Sequence, residues 1–87
     1  MTKLNLNLEK EFSGKKIIIT GASRGLGAVA CEVLASKGAK IVMLSRSIKD
    51  MNILKNKLKN PENHICIEVD FLKKKELDLA IHKAQKF

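Results

Sequence analysis

Hydrophobic residues in this chain form short, nearly continuous runs that alternate with longer stretches in which they recur three or four positions apart. Runs of the first kind are typical of buried strands, and stretches of the second kind are typical of helices. The predicted strands cover 16–20, 40–44 and 64–69, and the predicted helices cover about 25–37, 48–59 and 73–87. Gly38 and the segment 60–63, which contains Pro61, stop the first two helices, and 45–47 is predicted to be a loop.

The side-chain pattern also assigns residues to faces. In the third strand, Ile65, Ile67 and Val69 point to one side. In the first helix, Cys31 lies off the main apolar stripe, which consists of Leu26, Val29, Ala30, Val33 and Leu34.

The order βαβαβα with short connections predicts one small α/β domain. Right-handed crossovers make its sheet parallel, with strand order 3-2-1 and helices packed against it. This is the first half of a Rossmann-type doubly wound parallel sheet, truncated after the third helix. Residues 1–11 are a polar leader outside that unit, and 12–87 form the unit itself.

The segment Thr20–Gly27, with sequence TGASRGLG, joins the first strand to the first helix. A glycine turn at a helix N-terminus collects free backbone N–H groups and the positive end of the helix dipole. Residues without a Cβ let a ligand approach the backbone closely. We therefore expect this turn to hold phosphate.

The string TGASRGLG resembles the T-G-x-x-x-G-x-G motif of the short-chain dehydrogenase/reductase family. The resemblance extends over 12–87 and includes the entry FSGKKIIITGASRGLG, the second strand SKGAKIVMLSR and the end of the third strand, EVDF. It implies the N-terminal half of an NAD(P)-binding Rossmann domain, most similar to 3-oxoacyl carrier-protein reductases.

The resemblance implies roles in the glycine turn. Gly21 permits the tight turn, Gly25 lets the chain pass close to the pyrophosphate, and Gly27 packs the helix onto the sheet. Ser23 and the backbone of Leu26 line the phosphate region.

At the end of the third strand, Asp70 matches the carboxylate that accepts a hydrogen bond from the adenine amino group, with Phe71 beside it. An alternative interpretation of Asp70 is an anion that stabilises the N-terminus of the following helix.

Cofactor preference is inferred from two positions. Members of the family that prefer NAD end the second strand with an acidic residue that binds the ribose hydroxyls, whereas this chain has Ser45 followed by Arg46. Arg24 is expected to face the same ribose. Two guanidinium groups and no carboxylate favour a 2′-phosphate, so NADP(H) is predicted over NAD(H), which stays possible.

The family's catalytic Ser, Tyr and Lys have no counterpart here, because the chain contains no Tyr. No residue is therefore assigned a catalytic role. The resemblance implies that the complete enzyme transfers hydride between the nicotinamide and a carbonyl/alcohol substrate, and that it is a homo-oligomer. It also places a fourth strand beside the first, so the chain alone is expected to be marginally stable or molten and to bind cofactor weakly.

Composition leaves two other functions to weigh. The net charge of +8 suggests a small nucleic-acid binder, but the three Phe residues are scattered and form no stacking platform. A non-catalytic nucleotide-binding or interaction module, which completes its sheet with a separate chain, is the stronger alternative.

Cys31 and Cys66 lack the spacing of a metal site, and two buried thiols are typical of a reducing compartment. Neither a signal peptide nor a membrane anchor is predicted. A cytoplasmic protein that binds no metal is therefore expected, and His64 and His82 are interpreted as ordinary surface or sheet-border residues.

Overall fold

The computed structural model describes residues 12–87, and the predicted leader 1–11 lies outside them. The strands are β1 (Lys16–Thr20), β2 (Lys40–Ser45) and β3 (Ile65–Glu68), and the helices are α1 (Gly25–Ser36), α2 (Ile48–Lys57) and α3 (Lys74–Lys86), with a 3-10 turn at Pro61–Asn63. Each predicted strand and helix is confirmed, with ends that shift by at most two residues. The prediction that Ser45 belongs to a loop is wrong, because Ser45 is the last residue of β2.

The three strands form one parallel sheet in the order β1-β2-β3, which confirms the predicted topology. The central strand, β2, is buried from Ile41 to Ser45. This burial follows from its apolar sequence, since a central strand has both faces covered.

Helices cover the two faces of the sheet unequally. On one face, α1 and α2 pack against Ile41 and Met43 of β2. On the opposite face, α3 packs against Val42 and Leu44. Ile65, Ile67 and Val69 all contribute to this second cluster, as the alternation in the third strand predicts.

The C-terminal end of α3 lies beside the N-terminal end of β1. The Lys16 ammonium donates a hydrogen bond of 2.8 Å to the backbone carbonyl oxygen of Gln85. Helix α3 therefore returns the chain to the level at which β1 begins.

The buried face of α1 overlaps only in part with its predicted stripe, of which Leu34 packs against the core. Cys31 and Ala35 are buried against the sheet, whereas Leu26 is 88% exposed in the part of the chain that the structure describes, and Val29 and Val33 are about half exposed. Apolar residues occupy nearly the whole circumference of this helix, so spacing alone does not select the face that meets the sheet. The small residues face the sheet because they allow the helix to approach it closely.

The two thiols differ in their surroundings. Cys31 is buried in the core, and Cys66 is half-buried, so the prediction of two buried thiols holds for one of them. Burial, with smaller contributions from Cys66 and Glu32, raises the pKa of Cys31 to about 11. Cys31 is therefore protonated at neutral pH and serves as a core residue rather than a nucleophile.

His64 is a buried structural residue, although the sequence suggested an ordinary surface or border position. It is only 2% exposed. Its Nδ1 accepts a hydrogen bond from the backbone N–H of Ile41 at 3.0 Å, and its Nε2 lies 2.8 Å from the carbonyl oxygen of Lys59. With Nδ1 as the acceptor, Nε2–H donates to that carbonyl, and the ring ties the start of β2 to the end of the α2 segment.

One edge of β1 is open among residues 12–87, where its only neighbouring strand is β2. Ile18 pairs with Val42 in the parallel register and lies on the same face, yet it is 44% exposed because α3 does not cover it. An apolar strand edge of this kind favours pairing with another chain.

We predict that the 87-residue chain by itself unfolds without a sharp cooperative transition, because the open edge and the bare side of α1 leave too little apolar surface buried. Scanning calorimetry and the dispersion of amide proton shifts would measure this. The variant Ile18→Lys should reduce self-association of the chain, whereas Glu68→Gln, on the opposite edge strand, changes the net charge by the same amount and serves as the charge control. A cooperative melt of the unpartnered, monomeric parent chain would contradict the prediction.

Candidate functional site

The glycine turn between β1 and α1 has the backbone conformation that the sequence predicts. The N–H of Gly21 donates to the carbonyl oxygen of Leu44 at 2.9 Å, which anchors the turn to β2. Gly25 has a φ of 64°, in the left-handed region that favours glycine. A Cβ at Gly25 would meet no atom within 4 Å, so the space beside the turn is open to a ligand.

Gly27 has a different role, in packing. A Cβ at this position would collide with the carbonyl oxygen of Gly21 and would lie 3.1 Å from the Cα of Ala22. The first turn of α1 can therefore approach the preceding loop only because residue 27 has no side chain.

The N-terminus of α1 has free backbone donors. Its N-cap is Arg24, and within residues 12–87 no side chain accepts a hydrogen bond from the first turn and no acidic residue occupies that turn. The uncapped N–H groups and the helix dipole make this end attractive to an anion.

A cavity of about 340 Å³ opens beside this turn, at the carboxyl ends of β1 and β2. It brings together six of the ten residues predicted from the sequence, and Ser47 is a seventh lining residue that the sequence reasoning missed. The lining residues are Gly21, Ser23, Arg24, Ser45, Arg46, Ser47 and Phe71. Two guanidinium groups and no carboxylate line this cavity in the described part of the chain, so it is electropositive.

Ser47 was recognisable in the sequence as a helix cap. Its hydroxyl accepts a hydrogen bond of 3.3 Å from the N–H of Asp50, and α2 begins at the next residue. A Ser that precedes a helix with an acidic residue three positions later is a common capping pattern.

The three serines that line the cavity form a hydrogen-bonded cluster. The Ser45 side chain is buried, and its Oγ accepts a hydrogen bond of 3.2 Å from the N–H of Ser47. The Oγ atoms of Ser23 and Ser45 are also 3.2 Å apart. The end of β2 is thus held against the glycine turn by hydroxyl contacts.

The remaining predicted residues lie around the cavity rather than in its wall. Gly25, Leu26 and Gly27 form the first turn of α1, and the Leu26 side chain projects away from the protein. Asp70 follows β3, and its Oδ1 accepts a hydrogen bond of 3.0 Å from the N–H of Leu72.

Asp70 does not cap α3, whose N-cap is Lys73. The acidic residue in the first turn of α3 is Glu76, which accepts a hydrogen bond from the N–H of Asp70 at 3.2 Å and pairs with Lys73 at 3.5 Å. Asp70 is therefore not the capping residue of α3, and Glu76 is the acidic residue in the first turn of that helix.

A second cavity of about 220 Å³ lies between α1 and α2 and shares Ser23 with the first. Glu32 and Asp50 line it, opposed only by Lys57. Its carboxylates disfavour a phosphate, so the cavity between Arg24 and Arg46 is the better candidate for an anionic ligand.

The part of the chain that the structure describes has neither a metal-binding cluster nor a membrane-spanning helix. Residues 12–87 contain no cluster of three His, Cys, Asp or Glu side chains that could hold a metal ion. None of the helices described here is long and apolar enough to cross a membrane.

Comparisons with known proteins point to one family. A family model described as short chain dehydrogenase matches residues 15–87. Among curated relatives, the 3-oxoacyl-[acyl-carrier-protein] reductase FabG of Rickettsia typhi is 39% identical over 73 residues, which are 84% of this chain and 30% of that protein. An uncharacterized oxidoreductase of Staphylococcus haemolyticus is 35% identical over 79 residues, with 83% of this chain and 34% of that protein covered.

Solved structures agree with this result. A 3-ketoacyl-(acyl-carrier-protein) reductase from Brucella melitensis, complexed with NADH, has a TM-score of 0.77 and 26% identity, over 85% of this chain and 30% of that one. A short chain dehydrogenase from Bacillus anthracis has a TM-score of 0.78 at 21% identity, over 91% of this chain and 31% of that one, and shows the shared fold. The chain spans about a third of the length of these relatives.

Proposed function

The chain belongs to the short-chain dehydrogenase/reductase family, and on that premise we propose that it is the NADP(H)-binding N-terminal part of an oxidoreductase. The complete enzyme would transfer hydride between the nicotinamide and a carbonyl/alcohol substrate. NAD(H) would bind the same site more weakly.

The cavity beside the glycine turn is the observation that carries this proposal. Its wall contains the left-handed residue Gly21 and the guanidinium groups of Arg24 and Arg46, and the uncapped N-terminus of α1 follows Arg24 directly. A dinucleotide with a 2′-phosphate has two anionic groups to satisfy these donors. The absence of a carboxylate from the lining residues favours the phosphorylated cofactor.

Each part of the site would contribute separately to binding. The N–H groups of Gly25, Leu26 and Gly27 would hold the diphosphate, and the two arginines would hold the 2′-phosphate. Asp70 and Phe71 would border the adenine. The bound cofactor supplies the hydride, and no described residue of this chain is assigned to proton transfer.

Other properties of the complete protein are proposed from the family and the thiols. We expect a small carbonyl or alcohol as the substrate and a homo-oligomeric assembly. Two free thiols suit a reducing compartment such as the cytoplasm.

Cofactor titrations of the isotope-labelled 87-residue chain test the proposal. NADPH should shift the amide signals of residues 21–27 and of Arg46 in a saturable way, and NADH should need a higher concentration. Because the chain alone is expected to be marginally stable, the same titration is made on a completed protein, in which the chain is continued by the part of the Rickettsia typhi reductase that follows the matched segment. If neither protein binds either dinucleotide, the proposal is wrong.

Backbone strain and ligand access can be separated with two glycines. Gly25→Ala and Gly14→Ala each place a side chain at a left-handed residue, with φ of 64° and 75°, and neither new Cβ meets an atom within 4 Å. We predict that both variants lose about 1 kcal/mol of unfolding free energy but that only Gly25→Ala weakens NADPH binding, by roughly tenfold or more. Melting curves and titrations of the completed protein measure both quantities, and equal loss of binding in the two variants would place Gly25 outside the phosphate site.

The open edge of β1 favours one second candidate, a non-catalytic module that completes its sheet with a separate protein. Ile18 is the exposed apolar residue that such a partner would cover. Co-purification separates the two functions: a stable partner that lacks reductase activity in the complex supports the module, and NADPH oxidation by the complex supports the enzyme.

A further inference from the structure

We propose that Ser45 is a positioning residue that acts through Ser23: its buried hydroxyl donates to the Ser23 oxygen and thereby leaves the Ser23 hydrogen free to bind the 2′-phosphate of NADP(H). This inference rests on the proposed function and deepens it, since it names the hydroxyl groups that select the phosphorylated cofactor.

The direction of the hydrogen bonds follows from the surroundings of Ser45. The residue is 7% exposed, and its Oγ already accepts a hydrogen bond from the N–H of Ser47. A buried hydroxyl also needs an acceptor for its own hydrogen. In the described part of the chain, the acceptor within hydrogen-bond distance of Ser45 Oγ is Ser23 Oγ, at 3.2 Å. The N–H of Ser47 therefore donates to Ser45 Oγ, and the Ser45 hydroxyl donates to Ser23 Oγ.

Ser23 is the last acceptor in this series of hydrogen bonds. It is half-buried and lines the cavity together with Arg24 and Arg46. Because its oxygen accepts from Ser45, its hydrogen is free to point away from Ser45. An anion between the two guanidinium groups would accept that hydrogen, whereas NADH has no phosphate at this place.

Without Ser45, the Ser23 hydroxyl can rotate and lose its fixed direction. The arginines would remain, so binding would weaken rather than disappear. The loss of affinity on removal of the Ser45 hydroxyl should be confined to NADP(H). A general structural role for Ser45 would weaken the binding of NADH as well.

A double-mutant cycle tests the relay. NADPH and NADH are titrated into the chain, and into the completed protein defined above, for the parent and for Ser23→Ala, Ser45→Ala, the double variant and Ser45→Thr. We expect Ser23→Ala to weaken NADPH binding by roughly tenfold or more, as loss of a hydrogen bond to a charged group does. Ser45→Ala should weaken it by a smaller factor, roughly threefold, because the Ser23 hydroxyl remains but loses its fixed direction. The double variant should be no weaker than Ser23→Ala alone. Ser45→Thr, which keeps the hydroxyl, should bind NADPH as the parent does. The NADH affinity of each variant should differ from that of the parent by less than about twofold.

The outcomes separate the two proposals. If NADPH binds preferentially but the effects of the two Ala variants are additive, or Ser45→Ala has no effect, the relay is wrong and the cofactor assignment stands. Equal loss of NADH affinity in Ser45→Ala would mean that Ser45 is only structural. If the parent binds neither cofactor, or binds both equally, the proposed cofactor preference fails and the relay fails with it.

Discussion

Replacing Ser45 by Asp and Arg46 by Ile should reverse the cofactor preference of the completed protein. The carboxylate would stand at the buried end of β2, where it would repel a 2′-phosphate and accept hydrogen bonds from the ribose hydroxyls of NADH. Loss of the Arg46 guanidinium removes a charge-assisted contact of about 1.5–3 kcal/mol. Together, these changes should shift the ratio of the two dissociation constants by roughly a hundredfold.

The new carboxylate has partners at this position. The N–H of Ser47 and the Ser23 hydroxyl lie within hydrogen-bond distance of the present Ser45 oxygen. The variant should therefore fold, and the exchange tests recognition rather than stability.

The control for this exchange is Lys49→Ile. Lys49 is an exposed cation in the first turn of α2, three residues from Arg46, and it does not line the cavity. Its replacement removes the same net charge as Arg46→Ile and should leave the NADPH to NADH ratio unchanged. Equal ratios in the parent and in the double exchange would refute the assignment of Arg46 to the 2′-phosphate.

Gly27→Ala should have the second largest effect, because the added methyl group strikes backbone rather than a movable side chain. The new Cβ would overlap the carbonyl oxygen of Gly21, which belongs to the turn that is meant to hold the cofactor. Overpacking of this kind costs about 1–3 kcal/mol. We expect a lower melting temperature and loss of measurable NADPH binding in the completed protein.

A neighbouring position provides the control for Gly27. Ala30→Gly, also in α1, adds flexibility to the helix at a cost of about 1 kcal/mol without a collision at the turn. It should lower the melting temperature by a comparable or smaller amount and preserve cofactor binding. If Gly27→Ala binds NADPH as tightly as the parent, the close contact between the glycine turn and α1 is not needed for cofactor binding.

The sequence was sufficient to predict the strands and helices because their boundaries have local causes. A β-branched run forms β1 and an apolar run forms β2, and Gly38 and Pro61 stop the helices that precede them. Strand order then followed from the short right-handed connections. Ser45 was assigned to a loop because its small polar side chain gives no strand signal, whereas pairing with Glu68 extends β2 through it.

Tertiary packing decided what local patterns could not. Leu26, Val29 and Val33 of the most apolar stripe of α1 are exposed, and Cys31 is buried instead, because the sheet accepts the small side of the helix. His64 was interpreted as a surface or sheet-border residue. It lies directly before β3 but is buried, and the backbone of Ile41 and Lys59 satisfies both of its ring nitrogens. The cavity gathers Gly21, Ser23, Arg24, Ser45, Arg46 and Phe71, which the glycine motif and the ends of the second and third strands supplied as candidates. The hydroxyl contacts among the serines have no signature in the sequence.

The placement of α3 on the face opposite to α1 and α2 constrains any larger sheet built on this unit. The helices α1 and α2 carry the chain from β1 to β2 and on to β3. A right-handed crossover through α3, on the opposite face, carries it back past β2 toward the free side of β1. The contact between Lys16 and Gln85 already holds the end of α3 at the starting level of such a strand. A further strand can therefore pair with the free side of β1 without any rearrangement of the three strands already present. Two separately synthesised chains can form one continuous sheet in the same way.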